Sequence, residues 1–177
     1  MATDNISFFN ETQRMKQAWI WLVLFLISLL IFSYGLFSQI VLHKPWGNEP
    51  VDNNKLAIIA IIVSLLLLIM YFVFKGTKLI TQIKTDGIYL TYPPYFKKSV
   101  IYSFDEIQSF RKRKYKVIKE FGGNGVQKRH KKKEIAYTVY GDDGIELILT
   151  SGYKILIGTQ RGEYFLSSLR KAKGGKR

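Results

Sequence analysis

Two uncharged apolar runs, Ala18 to Leu42 and Leu56 to Phe74, dominate the first half of the chain. At about 1.5 Å per residue, a helix over the first is about 37 Å long and one over the second about 28 Å, against a hydrocarbon core of about 30 Å. Helices buried in soluble cores seldom run so far without a charge, so each run is expected to cross a bilayer once. The first exceeds the apolar core of a cleaved signal peptide and lacks an Ala-x-Ala exit, which makes it a retained anchor.

Between the runs, His43-Lys44-Pro45-Trp46-Gly47-Asn48-Glu49-Pro50 is rich in helix breakers, and the segment to Lys55 is long enough only to join neighbouring antiparallel helices. The expected organisation is 1–17 as an N-terminal segment, spans at 18–42 and 56–76, and a connecting loop at 43–55. Ser28, Ser33 and Gly35 on one helix and Ala57, Ala60 and Ser64 on the other are small enough to let backbones approach. Neither apolar run, Ala18 to Leu42 or Leu56 to Phe74, carries an acidic or basic residue, which argues against an ion path or proton relay. Trp19, Trp21, Trp46 and Tyr71 suit either headgroup-level rings or packing surface.

Orientation follows from the basic residues that flank the spans. Arg14 and Lys16 precede the first and Lys75, Lys78 and Lys84 follow the second, while the loop holds Lys44 and Lys55, so both termini are expected to be cytoplasmic. On that face the glycosylation patterns Asn5-Ile6-Ser7 and Asn10-Glu11-Thr12 are chance matches. Phe8, Phe9, Thr12, Met15 and Trp19 recur at roughly helical spacing, with Asn10 and Gln13 placed like a capping pair. The first residues therefore read as a short interfacial helix or a frayed tail.

Up to Phe74 the four basic residues Arg14, Lys16, Lys44 and Lys55 balance Asp4, Glu11, Glu49 and Asp52, so the whole net charge of +14 lies after it. There the hydrophobic period changes to alternation broken by turns. Strands are expected at Lys78 to Lys84, Ile88 to Tyr92, Ser99 to Phe104, Ile107 to Tyr115, Ile135 to Tyr140, Ile145 to Thr150 and Lys154 to Gly158. Thr85-Asp86-Gly87, Gly141-Asp142-Asp143-Gly144 and Ser151-Gly152 supply turns. Arg161 to Ala172 repeats Tyr164, Phe165, Leu166 and Leu169 at helical spacing, with Arg170, Lys171 and Lys173 at the end that favours cations. Four strands, three strands and a closing helix over 77–172, before a basic tail at 173–177, is the order of a pleckstrin-homology-like (PH-like) fold. The expected class is an α+β membrane protein: a transmembrane helical hairpin followed by a PH-like seven-stranded β-sandwich capped by a C-terminal α-helix.

Gly87-Ile88-Tyr89, Pro93-Pro94 with Lys97-Lys98, Asp105-Glu106-Ile107, Gly122-Gly123-Asn124-Gly125, Ala136-Tyr137 and, most specifically, Ile155-Leu156-Ile157-Gly158-Thr159-Gln160 carry a resemblance over nearly the whole chain. The protein resembles an uncharacterised family of small bacterial membrane proteins with two spans followed by a PH-like domain. The resemblance implies a multi-pass protein of the bacterial inner membrane, and it implies architecture more than activity. This chain has Asn124 and Val126-Gln127-Lys128 where such relatives are expected to hold an aromatic residue and an Arg.

Enzyme chemistry is not signalled. The two histidines, His43 and His130, are far apart, the chain has no cysteine, and the Gly122 to Gly125 stretch lacks the ending of a phosphate loop, so no catalytic set, cofactor or metal site is expected. Adjacent carboxylates such as Asp105 and Glu106 sit at turns, where Asp commonly bonds local backbone. The informative stretch is Arg111 to Lys133, with eleven basic residues against Glu120. Arg111, Lys112, Arg113, Lys114, Lys128, Arg129, Lys131, Lys132 and Lys133 are the expected anionic-surface residues. The last six positions of the run, from Lys128, are too dense in charge to pack internally and should project outward.

The expected function is a non-enzymatic interaction or membrane-surface module whose basic patch faces anionic lipid headgroups, each cation near an acidic leaflet contributing about 1 kcal/mol. The alternative is an accessory or regulatory subunit that binds a cytosolic or membrane protein. RNA is a weaker third partner, because the run lacks interleaved aromatic residues apart from Tyr115 and Phe121. A specific inositol-phosphate pocket at the first hairpin is disfavoured by its acidic tip, Lys84-Thr85-Asp86-Gly87.

Overall fold

The computed structural model describes residues 7–174, so the Asn5 sequon and the last residues of the basic tail lie outside the described residues. The chain divides into two compact units, one of residues 16–76 and one in which the residues up to Met15 join those from Thr77 onward.

In the first unit, α1 (Ala18–Ile40) and α2 (Asn53–Gly76) are both long and apolar enough to cross a membrane by length and composition. They run antiparallel, with the Trp21 ring near the start of α1 set 5.2 Å from that of Phe74 near the end of α2. Trp46 of the loop packs over Gly35, where an added Cβ would lie 2.8 Å from the indole. Of the small residues expected between the helices, Ser28 and Gly35 are buried and Ser33 is exposed. Residues seven apart share a helix face, whereas five positions turn the side chain well away from it.

The second unit contains nine strands among the described residues rather than the seven expected. One additional strand is β1 (Phe9–Arg14), which replaces the expected interfacial helix or frayed tail. It pairs antiparallel with β2 (Lys78–Ile83) from Phe9 opposite Ile83 to Arg14 opposite Lys78. β3 (Gly87–Tyr92) and β4 (Phe96–Ser103) complete a sheet of order β1-β2-β3-β4. The Asp-Gly turn joins β2 to β3 as its chemistry requires, with Lys84 N–H donating to Gly87 O at 2.9 Å.

The second sheet has the order β5-β8-β9-β7-β6, with β5 at Ile107–Lys114, β6 at Gly125–Arg129, β7 at Glu134–Thr138, β8 at Asp143–Leu149 and β9 at Lys154–Gly158. The Asp142-Asp143 turn leads from β7 to β8 without pairing them: β9 lies between and runs parallel to β7. A one-turn helix, α3 (Val117–Phe121), connects β5 to β6.

Alternating residues of the two sheets form one core, including Leu79, Ile83, Ile88, Leu90, Ile145, Leu147, Ile155 and Ile157. Three buried tyrosines tie the sheets together: Tyr92 Oη donates to Thr138 O at 3.0 Å, and the Tyr102 and Tyr137 hydroxyls lie 2.9 Å apart. α4 (Gly162–Gly174) buries Phe165, Leu169 and Ala172 against this core, with Phe165 stacked on Phe9 of β1 at 4.7 Å.

Because β1 and β2 pair, the chain leaves this unit and returns to it at adjacent backbone positions. Met15 N–H donates to Thr77 O at 3.2 Å, so β1 and the described residues from Thr77 onward belong to one folded body.

Candidate functional site

The basic segment is split by the fold. Arg111, Lys112, Arg113 and Lys114 lie on β5, at one edge of the five-stranded sheet, and Lys128 and Arg129 lie on β6, at the other. At about 4.8 Å per strand, the two edges are about 19 Å apart. Lys128 and Arg129, expected to project from a loop, are therefore held in a strand, paired with Ile135 and Glu134.

The β5 group meets carboxylates that are remote in sequence. Cross-strand register sets Arg111 opposite Glu146 of β8, whose nearly buried carboxylate lies 2.5 Å from Arg111 Nη2 and 3.0 Å from Arg113 Nε. Arg113 also donates to Glu120 Oε2 at 2.8 Å. Lys112 reaches Glu163 of α4 at 2.9 Å and Asp143 at 3.9 Å, and Lys114 lies 3.9 Å from Asp142. The hydrogen bond that Lys112 donates to Glu163 is the main cause that raises the Lys112 pKa above its ordinary value.

On the far side, Arg129 pairs with Glu134 at 3.5 Å and donates to the carbonyl of Glu120. Glu120 closes α3 on itself by accepting from the backbone N–H of Lys116 at 2.7 Å. That bond, then the Arg113 and Arg129 guanidinium groups, lowers the Glu120 pKa.

What remains uncompensated is narrower than the sequence run. Lys131, Lys132 and Lys133 occupy a turn of 3-10 helix, His130–Lys132, and its left-handed closing residue, with Lys133 N–H donating to His130 O at 3.1 Å. Together with Lys128 they are exposed, and among the described residues none of the four has a carboxylate within ion-pair distance. The turn sits at the start of β7 and β9, where Lys154 N–H donates to Lys133 O at 2.8 Å.

The outer face of this sheet carries a second apolar cluster of Tyr115, Ala136 and Leu156, with Val117 and Phe121 of α3 packed on it. Glycine makes room for the Tyr115 ring: a Cβ on Gly158 would lie 2.8 Å from its hydroxyl, and one on Gly144 would lie 3.1 Å from Cε1. Burial pushes the Tyr115 pKa up to about 12, with Asp142 and Asp143 adding to the shift. α3 ends on Gly122, whose φ of 80° suits glycine and whose N–H donates to Ile118 O at 3.0 Å. The Gly122 stretch is thus accounted for as a helix cap.

A polar joint invisible to periodicity binds β1 to the start of α4. Glu11 is buried and accepts from Thr159 Oγ1 at 2.6 Å and from Gln160 N–H at 2.9 Å. Gln13 Nε2 donates to Gly158 O at 2.7 Å. The Arg161 guanidinium donates to Asn10 O and lies over the Phe9 and Tyr164 rings. The Gly158-Thr159-Gln160 motif therefore receives the N-terminal strand. Among the described residues, no three His, Cys, Asp or Glu side chains are gathered as metal ligands would be.

No protein-family model, curated protein or solved structure matches this chain.

Proposed function

We propose that the chain is a non-enzymatic, membrane-anchored interaction module. α1 and α2 cross the bacterial inner membrane as a hairpin with both termini cytoplasmic, and the second unit is a PH-like domain completed by β1. Its exposed lysine turn faces anionic headgroups. The observation that carries the reading is the contrast in charge compensation: the β5 cations are paired, whereas Lys128, Lys131, Lys132 and Lys133 are exposed without carboxylate partners. Lysines in that condition gain most from an acidic leaflet within a Debye length of about 8 Å.

The hairpin already concentrates the domain at the membrane, so the lysine turn orients it rather than recruits it. The pairing of Met15 with Thr77 supports the shared side of both termini, since one folded body cannot straddle the bilayer. The test uses the full chain, because residues 77–174 alone lack β1. In nanodiscs containing phosphatidylglycerol, amide exchange over Gly125–Thr138 is expected to be slower than in phosphatidylcholine, and replacing Lys131, Lys132 and Lys133 with Glu should abolish the difference. Equal exchange in both lipids would remove the leaflet role.

A second reading, an accessory subunit that binds a protein, is favoured by one feature. A groove of about 370 Å³ beside α4 is lined by Ser7, Phe8, Tyr164, Ser167, Ser168 and Lys171, with Tyr164 exposed at its rim. Photocrosslinking from Tyr164 in membranes tests it. A discrete adduct supports a partner there, and its absence counts against one.

A further inference from the structure

Ile118 is 77% exposed, more than any other large hydrophobic residue described, including those of the two apolar helices. It belongs to the sheet unit, where nothing about its position is explained by lipid-facing helices. Its neighbours on α3 are turned the other way: Val117 and Phe121 pack on Tyr115, Ala136 and Leu156, and the Glu120 carboxylate is consumed by Arg113 and the Lys116 N–H. The side chains left pointing outward with Ile118 are Lys116 and Lys119, both exposed.

α3 is also fixed to the strand that leads into the lysine turn. Arg129 of β6 donates to Glu120 O and lies 5.8 Å from the centre of the Phe121 ring, and three residues separate Phe121 from β6. One apolar tip is thus set among Lys116 and Lys119, on an element anchored beside Lys128. Isolated exposed isoleucines are ordinary on protein surfaces. An exposed isoleucine flanked in sequence by two exposed lysines, on a pinned turn of helix, has the make-up of an interfacial anchor, in which the aliphatic tip enters the acyl boundary and lysines stay at headgroup level.

We propose that α3 is a wedge for an anionic bilayer surface, with Ile118 inserted below the headgroups and Lys116 and Lys119 contacting lipid phosphates. The proposal rests on the leaflet-facing reading above and adds the element that enters the membrane. A protein surface is the competing occupant. Charge complementarity favours the leaflet, because both exposed polar neighbours of Ile118 are lysines and the one carboxylate of α3 is engaged by Arg113 and the Lys116 N–H.

The chain has no cysteine, so single labels can be introduced without background. Full-length Ile118→Cys, His130→Cys and Thr85→Cys variants carry a nitroxide and are reconstituted in nanodiscs of phosphatidylcholine with or without phosphatidylglycerol. The ratio of collisions with oxygen to collisions with a water-soluble nickel chelate reports depth. The expected result is a several-fold higher ratio at position 118 in the anionic discs than in the neutral ones, reversed by high salt, with position 85 aqueous throughout. If position 118 stays aqueous while 130 meets headgroups, the wedge is wrong and the leaflet reading stands. Both positions aqueous in anionic discs overturns both readings. Position 118 shielded from oxygen and nickel alike, in either lipid, assigns the tip to a protein contact and overturns the wedge.

Discussion

The two basic stretches of this protein look alike as sequence and differ as structure. Arg111-Lys112-Arg113-Lys114 lies along an edge strand whose cross-strand and helical neighbours are Glu146, Asp142, Asp143 and Glu163. Lys131-Lys132-Lys133 closes a turn beyond the end of β6, with no carboxylate partner among the described residues. A run of like charge is therefore not yet a surface potential. The first stretch is ion-paired within the domain, and the second is exposed without a carboxylate partner among the described residues.

The sharpest way to break this contrast is to remove the carboxylate that two arginines share. Glu146→Gln should lower the stability of the full chain in detergent by about 1.5–3 kcal/mol, since both arginines lose a nearly buried, charged acceptor, although Arg113 keeps Glu120 and solvent still screens Arg111. A change below about 0.5 kcal/mol, as on an ordinary surface, would show that the β5 charges are as dispensable as those of the turn.

Next in size is Gly158→Ala. The added methyl group meets the Tyr115 hydroxyl at 2.8 Å, and displacing that ring should cost about 1–3 kcal/mol in chemical denaturation. A tolerated alanine would mean that Tyr115 does not anchor the end of β5.

Acidification gives a smaller effect. The Glu120 pKa is lowered in the folded state, so its contribution is present above the ordinary value of 4.5 and lost as pH falls through the lower folded value. Amide exchange of α3 should accelerate in that acid range, and Glu120→Gln should make it insensitive to pH there. The smallest effect is expected at the turn itself: Lys131→Ala, Lys132→Ala and Lys133→Ala should each change stability by less than about 0.5 kcal/mol in either direction. Larger losses would show that the turn is part of the scaffold.

What could be seen in the sequence follows the range of the forces involved. The two long helices are legible because uninterrupted apolarity needs no partner to be recognised, and the β2–β3 hairpin because Asp86-Gly87 has local turn chemistry. β1 was hidden because two of its three inward positions, Glu11 and Gln13, are polar and find their acceptors and donors at Gly158, Thr159 and Gln160, about 150 residues away. β6 was hidden by its charge, since Lys128 and Arg129 mask an edge strand whose apolar contribution to the core is Val126. The nine basic residues singled out were visible as a composition, but their division was not. Arg111 meets Glu146 across 35 positions through the sheet register, and Lys112 meets Glu163 across 51 through the packing of α4 beside β5.

Amine footprinting of the full-length protein in nanodiscs tests the central claim most directly, because both stretches carry lysines that one reagent can compare in a single sample. Adding phosphatidylglycerol should protect Lys131, Lys132 and Lys133 from acylation while Lys112 and Lys114 react as they do in phosphatidylcholine. Equal protection of the two groups, or protection of Lys112 and Lys114 alone, would contradict the account.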